Sequence, residues 1–322
     1  MSKGWYGKPS PAAAQAAARR DDAMLRRPQR LREGTRLEGY EVRRLIGGGG
    51  FSLVYLAREE ATGEAVVLKE YMPQRLARRA RDGAVAPRGE AEAARFERGR
   101  RLFLEEARTL AELAHPNIVR VRSFFAAHGT VYMVMDYHEG ANLQAYIRRH
   151  RGGLSPRFLL TVFPPLLEAL AHIHARGYLH LDVKPANIHL RPGGEPLLLD
   201  FGAVHRRHRS RRERPGHVLT HGYSAVELYR PDGYVGPWTD VYAIGATMRS
   251  CMDGRAPPSA LERRERDALR PAAQAHARRY PRALLAAVDW AMEVDPLLRP
   301  QTAEALLEAL SEAAAGTPAR EA

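Results

Sequence analysis

The sequence predicts an α+β fold of two lobes: a small antiparallel β-sheet lobe with one long helix, and a larger, mainly helical lobe. Three observations predict this fold. Short β-rich runs joined by glycine-rich or polar turns occupy residues 40–71. One long segment with helical spacing follows at 95–114, and after Gly140 the patterned segments are mostly helical. A small sheet followed by a helical body predicts a cleft between the two lobes.

The predicted strands come first in the chain. "YEVRRLI", "SLVYLA" and "EAVVLKEY" are β-rich, and a glycine cluster and the hairpin-like turn "ATGE" join them. Apolar residues in the long helix recur at Phe103, Ala107, Leu110 and Leu113. Two further strands, "NIVRVRSF" and "TVYMVMDY", extend the meander. The predicted helices after them are "FLLTVFPPLLEALAHIHA", "TDVYAIGATMRSCM", "ALLAAVDWAME" and "AEALLEALSEA".

We divide the chain into four parts. Residues 1–36 are predicted to be a disordered basic tail, although a docking arm is the alternative, and residues 315–322 a C-terminal tail. Residues 37–138 form the sheet lobe and residues 139–314 the helical lobe. The connection at 71–99 exceeds a minimal strand-to-helix link, so we expect a surface excursion, or else a docking site for a regulator.

Composition limits the class of protein. A chain of 322 residues with 45% hydrophobic content can bury a sizeable core. No stretch approaches the roughly 18 uninterrupted apolar residues of a membrane span, and no apolar leader precedes a cleavage site, so we expect a soluble, cytoplasmic protein. The only cysteine, Cys251, has no partner for an internal disulfide, and its neighbours predict a buried helix rather than a reactive thiol.

The net charge of +13 raises the possibility of nucleic-acid binding. Residues 1–36 and 205–214 together carry eleven of these thirteen charges. The remaining body is close to neutral, which argues against a broad basic groove along a phosphate backbone. We therefore expect no nucleic-acid partner.

The glycine cluster lies in "LIGGGGFSLVYLA", where Gly47, Gly49 and Gly50 fall in a turn between two strands. Dinucleotide-binding and Walker motifs are excluded because both need a helix directly after the glycines. Backbone without side chains can instead close over a polyphosphate. A purely structural hairpin is the alternative interpretation.

Lys69 follows the apolar Val67 and Leu68 in the third predicted strand. A buried lysine there needs a partner for its charge, and Glu106 on the long helix can supply one. Without the other motifs, a lysine at the sheet edge with its ammonium group in solvent would be the simpler interpretation.

The segment "HLDVKPANIHL" and the later "LLLDFG" bring together a set of residues suited to phosphoryl transfer. Asp182 would orient an attacking hydroxyl and take its proton, and Lys184 would neutralise the γ-phosphate. Asn187 and Asp200 would hold magnesium through hard oxygen ligands. Any one of the four residues alone is compatible with an unrelated surface position.

Taken together, these motifs resemble the eukaryotic-like serine/threonine protein kinases, particularly the bacterial ones, over residues 37–312. The resemblance is carried by the glycine loop, "VVLK", Glu106 nine residues before "HPN", "HLDVKPAN", "DFG", "THGYSAVE", "WTDVYAIG" and "DPLLRPQ". It implies the bilobal kinase fold, with ATP and Mg²⁺ as cofactors and proteins as substrates. At Lys184 and Thr220 the sequence resembles the serine/threonine class of kinases rather than the tyrosine class.

The resemblance also implies individual roles. Lys69 would hold the α- and β-phosphates and pair with Glu106, and Met135 would be the gatekeeper residue. Asp240 would support the catalytic loop from below. Glu227 would pair with Arg299. The implied nucleotide-contacting positions are Ile46, Gly47, Gly49, Gly50, Ser52, Val54, Val67, Lys69, Met135, His189 and the hinge residues Asp136, Tyr137 and His138.

The sequence departs from the family pattern at four places. Ser52 replaces the third glycine of the loop, "SAVE" replaces "APE", and His189 replaces an aliphatic residue under the adenine. Leu181 stands where most members have an arginine that receives a phosphorylated activation-loop residue. Ser210 is the only hydroxyl residue between "DFG" and Thr220, among six arginines. We therefore expect an activation segment that is arranged without phosphorylation of this loop.

Alternatives remain at this stage. The loop arginines either attract acidic or phosphorylated substrates or form a solvated charge run. A pseudokinase scaffold would explain the departures, but such decay usually removes Lys69, Asp182 or Asp200, and all three are present. A basic nucleic-acid-binding protein and a small-molecule kinase of related fold are less favoured. The alanine- and arginine-rich composition is typical of a bacterial protein.

Overall fold

The computed structural model describes residues 29–201, 205–206, 219–230 and 232–315, with backbone only at 205–206. The described residues form two compact units. One consists of Arg120–Tyr137 and the described part of Met1–Glu112, and the other of Leu113–Val119 and the described residues after Tyr137.

The chain passes from the first unit to the second between Tyr137 and His138, within the predicted hinge. One earlier segment, Leu113–Val119, also belongs to the second unit, although we predicted it as part of the sheet lobe. The backbone explains this assignment. The Val119 N–H donates to the Leu198 carbonyl at 3.1 Å, and the Leu198 N–H donates to the Asn117 carbonyl at 2.8 Å.

The first unit is built on an antiparallel six-stranded sheet. Its strands are β1 (Arg36–Leu37), β2 (Tyr40–Gly48), β3 (Ser52–Glu59), β4 (Ala65–Tyr71), β7 (Val121–Ala127) and β8 (Thr130–Asp136). Their order in the sheet is β1-β2-β3-β4-β8-β7. The helix α1 (Glu90–Glu112) buries Phe96, Phe103, Ala107 and Leu110 and packs on β7 and β8. The predicted meander and long helix are confirmed.

The connection between β4 and α1 is anchored at a few buried positions, whereas residues 80–82, 88 and 89 are exposed. It contains a two-stranded hairpin, β5 (Ala77–Arg79) and β6 (Val85–Pro87), and Met72, Ala77 and Val85 are buried. The connection is therefore a surface excursion, as expected, but one that is anchored at these buried positions. Apolar side chains at these positions fix the connection to the rest of the unit by removing hydrocarbon from water.

The residues just before β1 are ordered as well. Leu31 is buried, and its N–H donates to the Tyr55 hydroxyl at 3.1 Å. The expectation of a disordered tail therefore does not hold for residues 29–36, and residues 1–28 lie outside the described part of the chain.

A buried polar cluster joins the sheet, the hairpin and the N-terminal residues. Glu70 on β4 is fully buried, and its carboxylate accepts hydrogen bonds from Tyr55 at 3.0 Å and Tyr132 at 2.6 Å. Arg79 completes the charge pair at 2.5 Å and also donates to the backbone carbonyl of Gln29 at 3.1 Å. Burial and the neighbouring Glu70 carboxylate raise the pKa of both tyrosines above the ordinary value.

The second unit is mainly helical. Its strands are β9 (Ala141–Asn142), β10 (Tyr178–Leu179), β11 (Ile188–Leu190), β12 (Pro196–Leu198) and β13 (His205–Arg206). They form a three-stranded sheet of order β12-β11-β9 and the pair β10–β13. Its helices are α2 (Leu143–His150), α3 (Pro156–Ala175), α4 (Pro237–Asp253), α5 (Ala260–Glu265), α6 (Ala272–Ala275), α7 (Arg282–Ala291) and α8 (Ala303–Ala315).

Two of these helices form the core of the unit. Ser155 caps the N-terminus of α3, because its side chain accepts a hydrogen bond from the Phe158 N–H. The helix packs on α4 and α8. Every residue of α4 from Pro237 to Met252 is buried, including Cys251. Burial raises the pKa of the Cys251 thiol, which confirms the prediction of an inert cysteine in a buried helix.

By length and composition alone, the helix α3 is apolar enough to cross a membrane. This is the only such helix in the described ranges. Half of the apolar stretch of this helix is buried inside the protein, and Leu159, Phe163 and Leu170 are fully buried. The same pattern is typical of a core helix, so the apolar composition of α3 is explained by packing.

The predicted tie between Glu227 and Arg299 is present in the helical unit. Their side chains meet in two hydrogen bonds of 2.8 and 3.1 Å, and Thr239 donates to the same carboxylate at 2.8 Å. The Arg299 guanidinium also lies 4.8 Å from the ring centroid of Tyr242. A bidentate pair with these additional contacts stabilises its buried charges.

Candidate active site

The glycine turn connects β2 and β3 in the first unit. The Gly49 N–H donates to the Ser52 carbonyl at 2.9 Å, and Phe51 at the tip is exposed. A Cβ atom at Gly48 would lie 2.9 Å from the Leu53 side chain, whereas one at Gly49 or Gly50 would meet nothing within 4 Å. A side chain at position 48 would therefore have to displace the Leu53 methyl group, while the two following glycines leave open space.

The turn is also held from one side by the chain that follows β4. The Met72 N–H donates to the Phe51 carbonyl at 2.9 Å, and the Gln74 N–H donates to the Gly50 carbonyl at 3.1 Å. The Gln74 side chain adds a hydrogen bond to the Gly49 carbonyl at 3.3 Å. These three hydrogen bonds continue the β3–β4 pairing to the tip of the turn. We call residues 72–74 the clamp.

Lys69 lies near the middle of the sheet, opposite Val54 on β3 and Met133 on β8. Its Nζ atom is 2.8 Å from Glu106 Oε1, and both side chains are 9% exposed. The Phe103 ring lies 5.6 Å from the same ammonium group. The predicted ion pair is confirmed, and an edge lysine with a solvated ammonium group is excluded, because the low exposure removes the solvent that such a residue would need.

The other implied nucleotide positions of this unit lie on neighbouring strands. Val67 pairs with Met135, which is 9% exposed, and Ile46 is 38% exposed next to the glycine turn. The Asp136 N–H donates to the Arg120 carbonyl at 3.1 Å, and the Asp136 carboxylate binds the Arg122 guanidinium.

In the second unit, Asp240 anchors the loop that carries Asp182. Its carboxylate accepts the N–H groups of His180 at 2.9 Å and Leu181 at 2.7 Å, and the His174 ring at 2.8 Å. Complete burial opposes the charge, but the hydrogen bond from His174 and the neighbouring histidines outweigh it and lower the pKa of Asp240. This is the supporting position that the resemblance implied for Asp240.

His180 is held as a neutral imidazole. Its Nε2 donates to the Leu199 carbonyl at 3.2 Å, and its Nδ1 accepts from the Asp182 N–H at 3.3 Å. Burial lowers the pKa of His180, in agreement with this hydrogen-bond pattern. Its ring lies 4.7 Å from that of Phe201. No sequence motif predicts this role of His180, because only the folded loop shows that it links Asp182 to Leu199.

Asp182 lies at the centre of a hydrogen-bond network. Lys184 donates to both of its carboxylate oxygens, at 2.9 and 2.7 Å. The Thr220 hydroxyl donates to Oδ1 at 2.9 Å and accepts from Lys184 at 3.1 Å. The Asn187 side chain donates to Oδ2 at 2.9 Å. The structure thus brings together three predicted site residues and adds Thr220, which the sequence marked only as a sign of kinase class.

Asn187 and Asp200 are held on neighbouring backbone segments. The Leu199 N–H donates to the Asn187 carbonyl at 2.8 Å, directly before Asp200. The Asn187 amide nitrogen is engaged with Asp182, which leaves its side-chain oxygen as an acceptor. One amide oxygen and one carboxylate are hard ligands that suit Mg²⁺, which keeps waters and phosphate oxygens in its remaining positions. The donor set therefore fits the predicted metal.

A metal held by protein ligands alone is not indicated. Across the described ranges, no three His, Cys, Asp or Glu side chains cluster closely enough to hold one.

Two residues of the site have backbone angles that are rare outside glycine. Leu181 has φ 61° and Asp200 has φ 56°, both in the left-handed region. Such conformations persist only where the surroundings enforce them, and they cluster at functional sites. Leu181 is 6% exposed, so its side chain is part of the packed interior.

His189 on β11 is pinned to the chain just after the hinge. Its Nε2 atom lies 3.1 Å from the Glu139 carbonyl. Gly140 has φ 136°, and a Cβ atom there would lie 2.0 Å from the Leu190 carbonyl oxygen. Only glycine permits this close approach. Ser210 and the loop arginines from 207 to 214 lie outside the described residues.

The comparisons with known proteins agree with this fold. The sequence profile of the protein kinase domain matches residues 40–310. The chain is 31% identical over 226 residues to CBL-interacting protein kinase 25 of Oryza sativa subsp. japonica, covering 68% of this chain and 40% of that protein. It is 29% identical over 236 residues to the serine/threonine-protein kinase PrkC of Bacillus subtilis (strain 168), covering 70% and 32%.

A solved structure, the apo form of PpkA-294, is 33% identical with a TM-score of 0.79, covering 88% of this chain and 99% of that one. The fold and the site residues define a protein kinase domain. The chain belongs to the protein kinase family, and the relatives named here include serine/threonine kinases. It spans less than half the length of the curated relatives it matches.

Proposed function

We propose that this chain is an ATP- and Mg²⁺-dependent protein serine/threonine kinase, which transfers the γ-phosphate of ATP to serine or threonine hydroxyls of proteins. One observation carries the proposal. Asp182, Lys184, Asn187 and Thr220 form one connected hydrogen-bond network. Phosphoryl transfer asks a protein for positioning and charge neutralisation rather than covalent chemistry, and this network supplies both.

Asp182 orients the attacking hydroxyl and accepts its proton as the new oxygen–phosphorus bond forms and the bond to ADP breaks. Its carboxylate is fixed by Lys184 and Asn187, so little reorganisation is needed during the reaction. Lys184 neutralises charge on the transferred group. Thr220 favours the serine/threonine class, since its hydroxyl links the activation segment to both charged residues.

Lys69 binds the α- and β-phosphates in this proposal, and Glu106 positions its ammonium group. Asn187 and Asp200 hold the cation. When bound, Mg²⁺ neutralises the charge of the phosphate oxygens. The backbone of the glycine turn covers the phosphates, and the open space at Gly49 and Gly50 suits close approach of a polyphosphate.

We further propose that activity does not depend on phosphorylation of the activation loop. Leu181 supports this idea because it is apolar and buried, and it offers no charge to a phosphorylated residue. The Ser210→Ala variant should keep most of the phosphate-transfer activity, measured with labelled ATP after phosphatase treatment of the native chain. Loss of nearly all activity in this variant would refute the proposal.

The central experiment measures transfer of phosphate from labelled ATP with magnesium to a generic protein substrate. Asp182→Asn should lower kcat by about 100- to 10,000-fold, because it removes the proton acceptor. Lys69→Met should abolish most activity as well. Asp232→Asn, which changes an exposed carboxylate in the same way, is the matched control and should leave activity unchanged.

No transfer by the native chain despite nucleotide binding would refute the kinase function and favour a pseudokinase scaffold. We propose proteins, including acidic or phosphorylated ones, as substrates, and a cytoplasmic location in line with the single buried Cys251. The alanine- and arginine-rich composition supports a bacterial origin.

A further inference from the structure

The helical unit contains a groove outside the predicted catalytic site. It has a volume of about 730 Å³ and lies between α2, the start of α3 and the turn after β11. A second hollow of about 360 Å³ adjoins it and shares Tyr146, Ser155 and Phe158. No residue that we assign to catalysis or metal binding lines either hollow. Both volumes lie in the range of clefts that bind ligands.

The two hollows meet at an aromatic pair. The rings of Tyr146 and Phe158 are stacked, with centroids 5.0 Å apart and planes 7° apart. Val162 and Leu190 are buried beside them. An apolar side chain of a ligand placed here would contact the rings, and the apolar surface of both the ligand and the groove would be removed from water.

The rim of the groove is basic. Arg149 and Arg157 are exposed and have no ion-pair partner in the part of the chain that the structure describes. Arg191 also lines the groove, and its only carboxylate neighbour there is Glu195, at 3.3 Å, with a side chain 69% exposed. Arg279 lines the smaller hollow. Among the described residues, no aspartate or glutamate lines either hollow, so the positive charge of the described lining is largely uncompensated.

We propose that this groove docks an acidic segment of the protein substrate, in which Asp and Glu residues flank one apolar side chain. The term substrate rests on the kinase function proposed above. Guanidinium groups bind carboxylates in bidentate geometry, so the arginines give the groove its charge selectivity. The aromatic pair receives the apolar residue.

The groove favours an acidic peptide over nucleic acid. Tracking a phosphate backbone needs an extended basic surface, whereas these arginines surround hollows with apolar walls. Docking would raise the concentration of the linked substrate hydroxyl near Asp182, which lowers KM without a change in the chemical step. Docking in the groove would therefore affect which protein substrates the kinase selects rather than the rate of phosphate transfer.

The first test is a binding measurement without ATP. A fluorescein-labelled peptide Glu-Asp-Glu-Leu-Phe-Glu-Asp-Glu should bind the full chain saturably by fluorescence anisotropy, and the Gln/Asn analogue should bind far more weakly. The double variant Arg149→Glu, Arg157→Glu should weaken binding about tenfold or more, a change of about 1.4 kcal/mol. Both residues are exposed, so the fold should tolerate the change.

The matched control is the double variant Arg148→Glu, Arg278→Glu, which makes the same change in net charge at exposed arginines outside both hollows. Affinity in this control should change less than about twofold. Equal weakening in both double variants would overturn the proposal, because the effect would then be one of net charge. Absence of saturable binding, or binding of only phosphopeptide or single-stranded DNA, would overturn it as well.

A kinetic test separates docking from catalysis. A protein substrate with the acidic peptide fused to it should have a lower KM than the same substrate without it, at equal kcat. The Arg149→Glu, Arg157→Glu variant should remove this difference and keep activity on the unfused substrate. Activity on the unfused substrate reports on the kinase function itself. A kinase that shows no KM difference would therefore refute the docking site alone.

Discussion

Replacing Arg79 by methionine tests whether the buried polar cluster holds the first unit together. Arg79→Met keeps much of the side-chain stem but leaves the Glu70 carboxylate, which is 0% exposed, without its cation. Removing one partner of a buried pair typically costs about 3–5 kcal/mol. Tyr55 and Tyr132 still donate hydrogen bonds to Glu70. We therefore expect a loss of about 3 kcal/mol in the free energy of unfolding, at the lower end of this range.

This loss should appear as a lower unfolding temperature. For domains of this size, about 1 kcal/mol shifts Tm by roughly 2–4 °C, so Arg79→Met should lower Tm by about 6–12 °C in differential scanning calorimetry. The double variant Glu70→Gln, Arg79→Met removes both charges and should recover part of the loss. Arg78→Met changes the exposed neighbour on the same strand and should have almost no effect.

Two results would refute this reasoning. A Tm within about 2 °C of the native chain for Arg79→Met would mean that the pair contributes little beyond its desolvation cost. A double variant no more stable than the single variant would mean that the unpaired Glu70 charge is not the source of the loss. In either case the cluster would be a polar contact without a large energetic role.

Three further predictions concern the site and its support. Gln74→Ala removes a hydrogen bond to the Gly49 carbonyl, worth about 0.5–1.5 kcal/mol, and should raise KM for ATP about 2- to 10-fold with little change in kcat. Because the pKa of His180 is lowered from 6.5, stability should fall below about pH 6.5, and His180→Gln should flatten this dependence in urea titrations. Glu227→Gln should cost about 3–5 kcal/mol by leaving Arg299 unpaired.

Each of these predictions has a control. Arg75→Ala changes an exposed residue next to the clamp and should leave KM for ATP unchanged. His150→Gln changes an exposed histidine and should keep the native pH dependence of stability. An equal fall in kcat for Gln74→Ala, an unchanged pH slope for His180→Gln, or a loss under about 1 kcal/mol for Glu227→Gln would contradict the respective prediction.

Local patterns in the sequence predict the elements and the charged residues of the site. A lysine inside an apolar strand and a glutamate on an amphipathic helix suggest the Lys69–Glu106 pair, because a buried ammonium group needs a counter-charge, but only the other motifs favour this pair over an edge lysine. The Glu227–Arg299 pair spans 72 positions, and only the resemblance to a family predicts it.

Other features depend on the folded chain and leave little trace in the sequence. Gln74 looks like any polar residue until the backbone brings it beside Gly49. The pairing of Arg79 with Glu70 requires the hairpin to fold back on the sheet, and neither the spacing nor the composition indicates this. The burial of Leu31 is equally hard to predict, because its hydrogen-bond partner Tyr55 lies 24 positions away in the sequence.

The clamp at residues 72–74 makes movement of the glycine turn a local unfolding event. Lifting the turn breaks the hydrogen bonds from Met72 and Gln74 to the carbonyls of Phe51, Gly50 and Gly49. The exchange of the Met72 and Gln74 amide protons with deuterium therefore measures how often the turn opens in the empty enzyme. The exchange rates of these two amides therefore report on the turn opening that nucleotide entry and release require. They can be measured without a substrate or a known activator.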